Sequence, residues 1–124
     1  MTRYCWQKEM RLRRPQDFRR VWKRGRSWAH PLFILWAAPN ELSRARVGLT
    51  ASRKVGGAVA RNRARRLLRE AARHLYPHLA PGWDVVLVAR PPLVEAQGQD
   101  VRRALEQSLR RAALWIEDEL GAGG

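Results

Sequence analysis

The stretch ARNRARRLLREAAR, Ala60 to Arg73, holds six arginines and one acid, Glu70. Guanidinium groups are forked, planar donors that bridge phosphate oxygens and stack on bases, so a row of them is chemistry for a polyanion. On a 3.6-residue wheel, Ala64, Leu67, Leu68, Ala71 and Leu75 form one apolar stripe. Asn62, Arg65, Arg66, Arg69 and Arg73 form a second stripe at the same spacing, which must face outward if the first docks on a sheet. Like charges at i, i+4 cost about 0.2–0.5 kcal/mol each. A face built only for solvation usually mixes signs, so the uncompensated repulsion favours a polyanionic partner over a merely solvated helix. Upstream, Gly56-Gly57 permits close backbone approach, Arg53 and Lys54 flank it, and the N-terminus of the following helix favours phosphate. The pattern is not a P-loop, because G-x-x-x-x-G-K-[ST] is absent.

A second constellation is aromatic. Phe18 and Trp22 are i, i+4 on one helix face, and Ile34 and Trp36 are i, i+2 on one strand face. All four stand among basic residues. Single-stranded nucleic acid is commonly held on aromatic platforms beside a cationic track, with Arg19, Arg53 and Lys54 as an available rim. Core packing is the ordinary fate of such side chains, and Trp83 and Trp115 are expected to follow it. For the other four, the residues alone leave core and cleft both open.

Chemistry by the chain itself has little to draw on. A metal-dependent nuclease needs clustered carboxylates, yet residues 1–76 hold four acids, Glu9, Asp17, Glu41 and Glu70, none within three positions of another. His74 and His78 are i, i+4 with Pro77 between them, and His30 stands apart. Cys5 is the lone cysteine, too few for a disulfide or a cysteine-based zinc cluster, and fits a reducing compartment. No catalytic residue and no firm metal site is therefore expected in the protein.

The elements that must position these groups form one domain of 124 residues, with a net charge of +14 and 45% hydrophobic residues. Residues 1–76 carry 20 Lys and Arg against four acids, and residues 77–124 carry five Arg against seven acids. The basic footprint thus belongs to the first two thirds, and the rest reads as scaffold. The start, MTRYCWQKEM, lacks the apolar region of a signal peptide, and LFILWAA at Leu32–Ala38 is too short to cross a bilayer.

Met1–Arg14 reads as an irregular basic lead-in. Pro15 opens a helix that Gly25 closes. Ser27–Ala38 reads as one strand with two apolar faces, and Ala45–Ala51 as the next strand of a hairpin. Val59–Leu75 is helical and Pro77 stops it. Trp83–Ala89, WDVVLVA, reads as a strand buried on both faces. Asp100 is placed to cap a last helix running to about Leu120, with Val101, Ala104, Leu105, Ala112, Trp115 and Ile116 on its apolar stripe. The strand–helix–strand unit Ala45–Ala89 implies one parallel pair in a mostly antiparallel sheet, hence an α+β fold. The ends, 1–9 and 121–124, are expected to be mobile.

The segment RVGLTASRKVGGAVARNRARRLLREAAR, Arg46–Arg73, resembles the signature of the bacterial ribonuclease P protein subunit, with its R-N-R motif at Arg61-Asn62-Arg63. RLRRPQDFRRVWKRGRSW upstream and WDVVLVARP downstream match that family in the same order, over about residues 10–116. The resemblance implies an αβββαβα chain with a four-stranded sheet, three helices and a left-handed βαβ crossover, ribosomal-protein-S5-domain-2-like. It also implies a function. A catalytic RNA subunit removes the 5′ leader of precursor tRNA, while the protein holds the leader and the RNA and aids binding of magnesium ions that the RNA mainly holds. The implied RNA-binding set is Arg53, Lys54, Arg61, Asn62, Arg63, Arg65, Arg66 and Arg69, and the implied leader cleft is Phe18, Trp22, Ile34 and Trp36. The family usually has phenylalanine at Trp22, tyrosine at Trp36 and often lysine at Arg53, so the resemblance carries over the chemistry of the cleft but not its width. A cytoplasmic protein with no membrane and no DNA partner is implied. Two rivals are a structural RNA-binding protein, such as a ribosomal protein, and a helix-turn-helix-like DNA reader. The second is disfavoured because a buried strand follows the arginine helix and a mostly arginine face discriminates bases poorly.

Overall fold

Trp83–Ala89 forms the strand on which the rest is assembled. In chain order the elements are α1 (Pro15–Arg24), β1 (Arg26–Ala29), β2 (Phe33–Pro39), β3 (Arg46–Thr50), α2 (Ala58–Leu75), β4 (Trp83–Ala89) and α3 (Gly98–Arg111), with 3-10 turns at Lys8–Met10, Tyr76–His78 and Pro91–Glu95. This computed structural model describes residues 8–117. The sheet order is β1-β2-β4-β3. β1 with β2 and β2 with β4 are antiparallel, and β3 with β4 is parallel, so α2 is the crossover of a βαβ unit.

Period-two alternation divides the strands between two cores. Phe33, Leu35, Ala37, Val47, Val85 and Leu87 point to one face, where they pack with Ala64, Leu68 and Ala71 of α2 and Val101, Leu105 and Leu109 of α3. Ala38 and Val86 point to the other face and meet Val21 of α1 and Leu12. β4 is buried on both faces as its run of β-branched residues requires. The apolar stripe expected on α2 is the one that docks.

Four sequence expectations need correction. Ser27–Ala38 is two strands, because Pro31 cannot donate to a ladder; the His30 amide closes the turn onto the Phe33 carbonyl at 2.9 Å, and the Leu32 amide donates to His30 Nδ1 at 3.0 Å. β2 and β3 form no hairpin with each other, since β4 lies between them. Residues 11–14 are not a loose lead-in: Arg11 bridges Val47, and Leu12 is 4% exposed. The last helix begins at Gly98, so Asp100 lies in its first turn and does not cap it, and it ends at Arg111, where Ala113 takes a left-handed φ of 60°. Trp115 consequently leaves the helical stripe and bridges Leu79, its ring stacked on His78 at 4.4 Å and covered by the Arg110 guanidinium at 4.8 Å. Of the ends expected to be mobile, all but Lys8 and Glu9 lie outside the described residues, as do Cys5 and Leu120.

Candidate nucleic-acid interface

Gly25 and Gly48 let α1 settle on the sheet. A Cβ at Gly25 would lie 2.5 Å from the Val21 carbonyl oxygen and 2.7 Å from that of Ala37. One at Gly48 would lie 2.7 Å from the Phe18 ring. Phe18 is thereby laid over β3, half-buried, while Trp22 one turn later is 39% exposed. The Phe18 and Trp22 ring centroids are 6.4 Å apart, and Trp22 meets Trp36 of β2 edge to face at 5.2 Å. Such pairs contribute about 0.5–1.5 kcal/mol beyond area burial. Val86 and Val88 of β4 complete the floor, and Ile34 joins it as the register partner of Val88. The structure therefore brings Phe18, Trp22 and Trp36 into one aromatic ledge that is neither closed core nor open surface, with half-buried Ile34 on the same sheet face.

An ion-pair network that the sequence reading missed fixes the angle of α1. Asp84 of β4 is fully buried and accepts from Arg46 Nε and Nη2 at 2.9 and 2.8 Å, Asn40 Nδ2 at 2.9 Å and Arg20 Nη2 at 2.9 Å. Asp17 receives the same two arginines, Arg20 at 3.2 Å and Arg46 at 3.5 Å. Burial pushes the Asp84 carboxyl up, but the bonds from Arg46, Asn40 and Arg20 outweigh it and hold it below the ordinary aspartate value. The hydrogen bond to Asp84 holds the Arg46 guanidinium above its usual value against the cost of its burial. The only sequence signal was one acid at the head of an apolar run.

On the opposite side of the sheet, α2 turns its arginines outward. The R-N-R residues brace the helix as well as face solvent. Arg63 Nε donates to the Val94 carbonyl at 2.7 Å, Arg61 reaches the Gly56 carbonyl at 3.5 Å, and Arg65 donates to Asn62 Oδ1 at 2.6 Å. Arg66 and Arg69 are exposed and have no ion-pair partner among the described residues. Glu70 is held by Arg73 at 2.8 Å, a bond that keeps its carboxyl below the usual range. Arg53 and Lys54 lie exposed in the turn after β3, beyond Thr50, whose row across the sheet runs through Val88 to Ile34. Gly56, with φ 145°, makes the bend into α2, and nothing lies within 4 Å of the space beside Gly57. The sheet thus separates the arginine helix from the aromatic ledge, and the Arg53–Lys54 turn begins where the ledge's outer row ends.

Among the described residues no three of His, Cys, Asp and Glu gather where they could hold a metal ion, and no helix is long and apolar enough to cross a membrane. His30 is stacked on Phe33 at 5.3 Å, and burial followed by nearby Arg111 pushes its imidazole down.

A cationic helix on one side of a small α+β sheet and an aromatic ledge on the other define a class: an RNA-binding subunit of a ribonucleoprotein. The comparisons with known proteins give the same class a name. The ribonuclease P family model matches residues 6–113, and the chain belongs to that family, as a subunit of the ribonucleoprotein endoribonuclease of tRNA 5′ processing, whose partner is an RNA subunit. It is 42% identical over 113 residues to the ribonuclease P protein component of Herpetosiphon aurantiacus, covering 91% of this chain and 92% of that one. It is 46% identical over 105 residues to that of Chloroflexus aurantiacus, covering 84% and 78%. The solved ribonuclease P protein of Staphylococcus aureus superposes with a TM-score of 0.76 at 30% identity, covering 86% of this chain and 97% of that one. That of Thermotoga maritima superposes at 0.74 with 30% identity, covering 87% and 98%.

Proposed function

We propose that the Phe18–Trp22–Trp36 ledge holds the single-stranded 5′ leader of precursor tRNA, and that the outward face of α2 with Arg53 and Lys54 holds the catalytic RNA. The observation that carries this is the exposure of Trp22 against Trp36: an aromatic pair left open above an apolar floor, beside a cationic turn. Bases stack on such platforms with little sequence preference, each stack contributing about 1–3 kcal/mol. Arg66 and Arg69 have no ion-pair partner among the described residues, which favours phosphate partners.

The protein's own residues do not fit a magnesium site. Glu70 is engaged by Arg73, and Asp17 and Asp84 by Arg20 and Arg46. Magnesium is accordingly assigned to the partner RNA, and the protein aids its binding by holding RNA phosphates in place. The RNA carries the catalysis, in the cytoplasm.

The test is reconstitution. The purified chain, stripped of RNA, leaves precursor tRNA intact in magnesium buffer, and the partner RNA restores cleavage. Cleavage by RNA-free chain that a point substitution in it abolishes would refute this reading.

A further inference from the structure

The sheet has a second aromatic site, on the face that α2 and α3 cover. α3 stops at Arg111, Ala113 takes a left-handed φ of 60°, and Ala112 between them stands at the corner where β1 begins. That corner holds an open groove of about 320 Å³, lined by Arg24, Arg26, Trp28, Pro39 and Trp83, with Ala37 on its floor. Ala112 closes its α3 side. The strand register puts these residues on one face: Arg26 is opposite Ala37, Trp28 is opposite Leu35, and Pro39 is opposite Trp83. Both indoles are half-buried, with one side packed on the core and the rest open. Neither Arg24 nor Arg26 has an ion-pair partner among the described residues. Arg24 also lines a shallow basic depression on α1 with Arg19, Arg20 and Lys23, so positive charge runs from the outer face of α1 into the groove.

We propose that this groove binds an unpaired nucleotide of the partner RNA, its base against Trp28 and Trp83 and its phosphate on Arg24 and Arg26. The volume lies at the lower end of small-ligand sites. Indole faces with unpaired guanidinium groups are the chemistry of a nucleotide. An acidic peptide would use the arginines but has no need of two indoles. The leader is excluded on position, because the ledge proposed for it lies on the other face of the sheet. The inference rests on membership of a ribonucleoprotein, and its choice of the RNA subunit over the leader rests on the leader reading above.

The test uses the assembled ribonucleoprotein. RNA subunit carrying photoreactive thiouridine is irradiated in the complex, and the crosslinked peptides are identified by mass spectrometry. Crosslinks are expected at Trp28 or Trp83. The Arg24→Ala/Arg26→Ala variant, altered only at exposed positions, should melt as the parent does. Its assembly should show a log–log salt slope shallower by about 0.7–0.9, for the one phosphate that the two arginines share. Trp83→Leu should weaken assembly roughly tenfold, the loss of one base stack. Leader-dependent affinity for precursor tRNA, measured in the same variants, stays at the parental value and so keeps this proposal apart from the ledge. An unchanged salt slope together with no crosslink at either tryptophan would overturn the proposal. So would crosslinks there from a labelled leader in place of the RNA subunit.

Discussion

Trp22 of α1 and Trp36 of β2 meet edge to face with ring centroids 5.2 Å apart, and the first of them is 39% exposed. A helix and a strand therefore share an aromatic contact whose outer half stays in solvent. Removing Trp36 takes away both a stacking surface and part of the packing under α1.

Trp36→Ala should abolish most of the leader's contribution to precursor affinity. Its stability loss should stay below the roughly 3–5 kcal/mol of a fully buried tryptophan. Denaturant unfolding and binding of precursor tRNA with and without leader check this. Collapse of stability with the leader's contribution intact would make Trp36 a core residue only.

Gly48→Ala should act on the same ledge from below. Its new methyl would meet the Phe18 ring at 2.7 Å and Leu12 Cβ at 3.2 Å, so Phe18 must shift. A destabilisation of about 1–3 kcal/mol is expected from such overpacking, with weaker leader binding. Thermal unfolding and the same affinity pair read both effects.

Asp84→Ala strands Arg46 and Arg20 beside Asp17 alone and should cost about 3–5 kcal/mol. The pH dependence has a definite sign. The folded-state carboxyl lies below its ordinary value of 3.8, so its contribution is complete above that value and is lost as pH falls through the folded pKa. Acid unfolding followed by circular dichroism should show this loss in the parent and a smaller one in Asp84→Asn.

Arg66→Ala/Arg69→Ala is the pair to change on α2, because Arg63 also braces the helix against Val94. Stability should hold while the log–log salt slope of assembly falls by about 0.7–0.9 for each lost phosphate contact. An unchanged slope would remove these two from the interface.

Local patterning made α1, α2 and β4 legible, through Pro15 and Gly25, the paired stripes of the arginine helix, and the WDVVLVA run. The ledge was half legible: i, i+4 and i, i+2 spacing grouped its residues in pairs, but only the seating of α1 on Gly48 decides that the pairs meet. Pro31 did carry a signal that the long strand breaks, and the apolar alternation around it concealed that signal. The Asp84 network was not legible, because its partners lie 38, 44 and 64 positions away in the chain. The same holds for the Trp28–Trp83 groove, which depends on where α3 stops.

β4 is the last strand synthesised and an inner strand of the sheet. β2 and β3 have no ladder with each other, so a chain ending at Leu75 would carry the complete arginine helix without the strand that seats it. Val86 and Val88 of the ledge floor and the Asp84 carboxylate then arrive in one seven-residue segment. Closing such distant pairings is slow and comes late. A product truncated before β4 would therefore carry the cationic helix without the finished platform, and the ledge is complete only in a chain that includes Ala89.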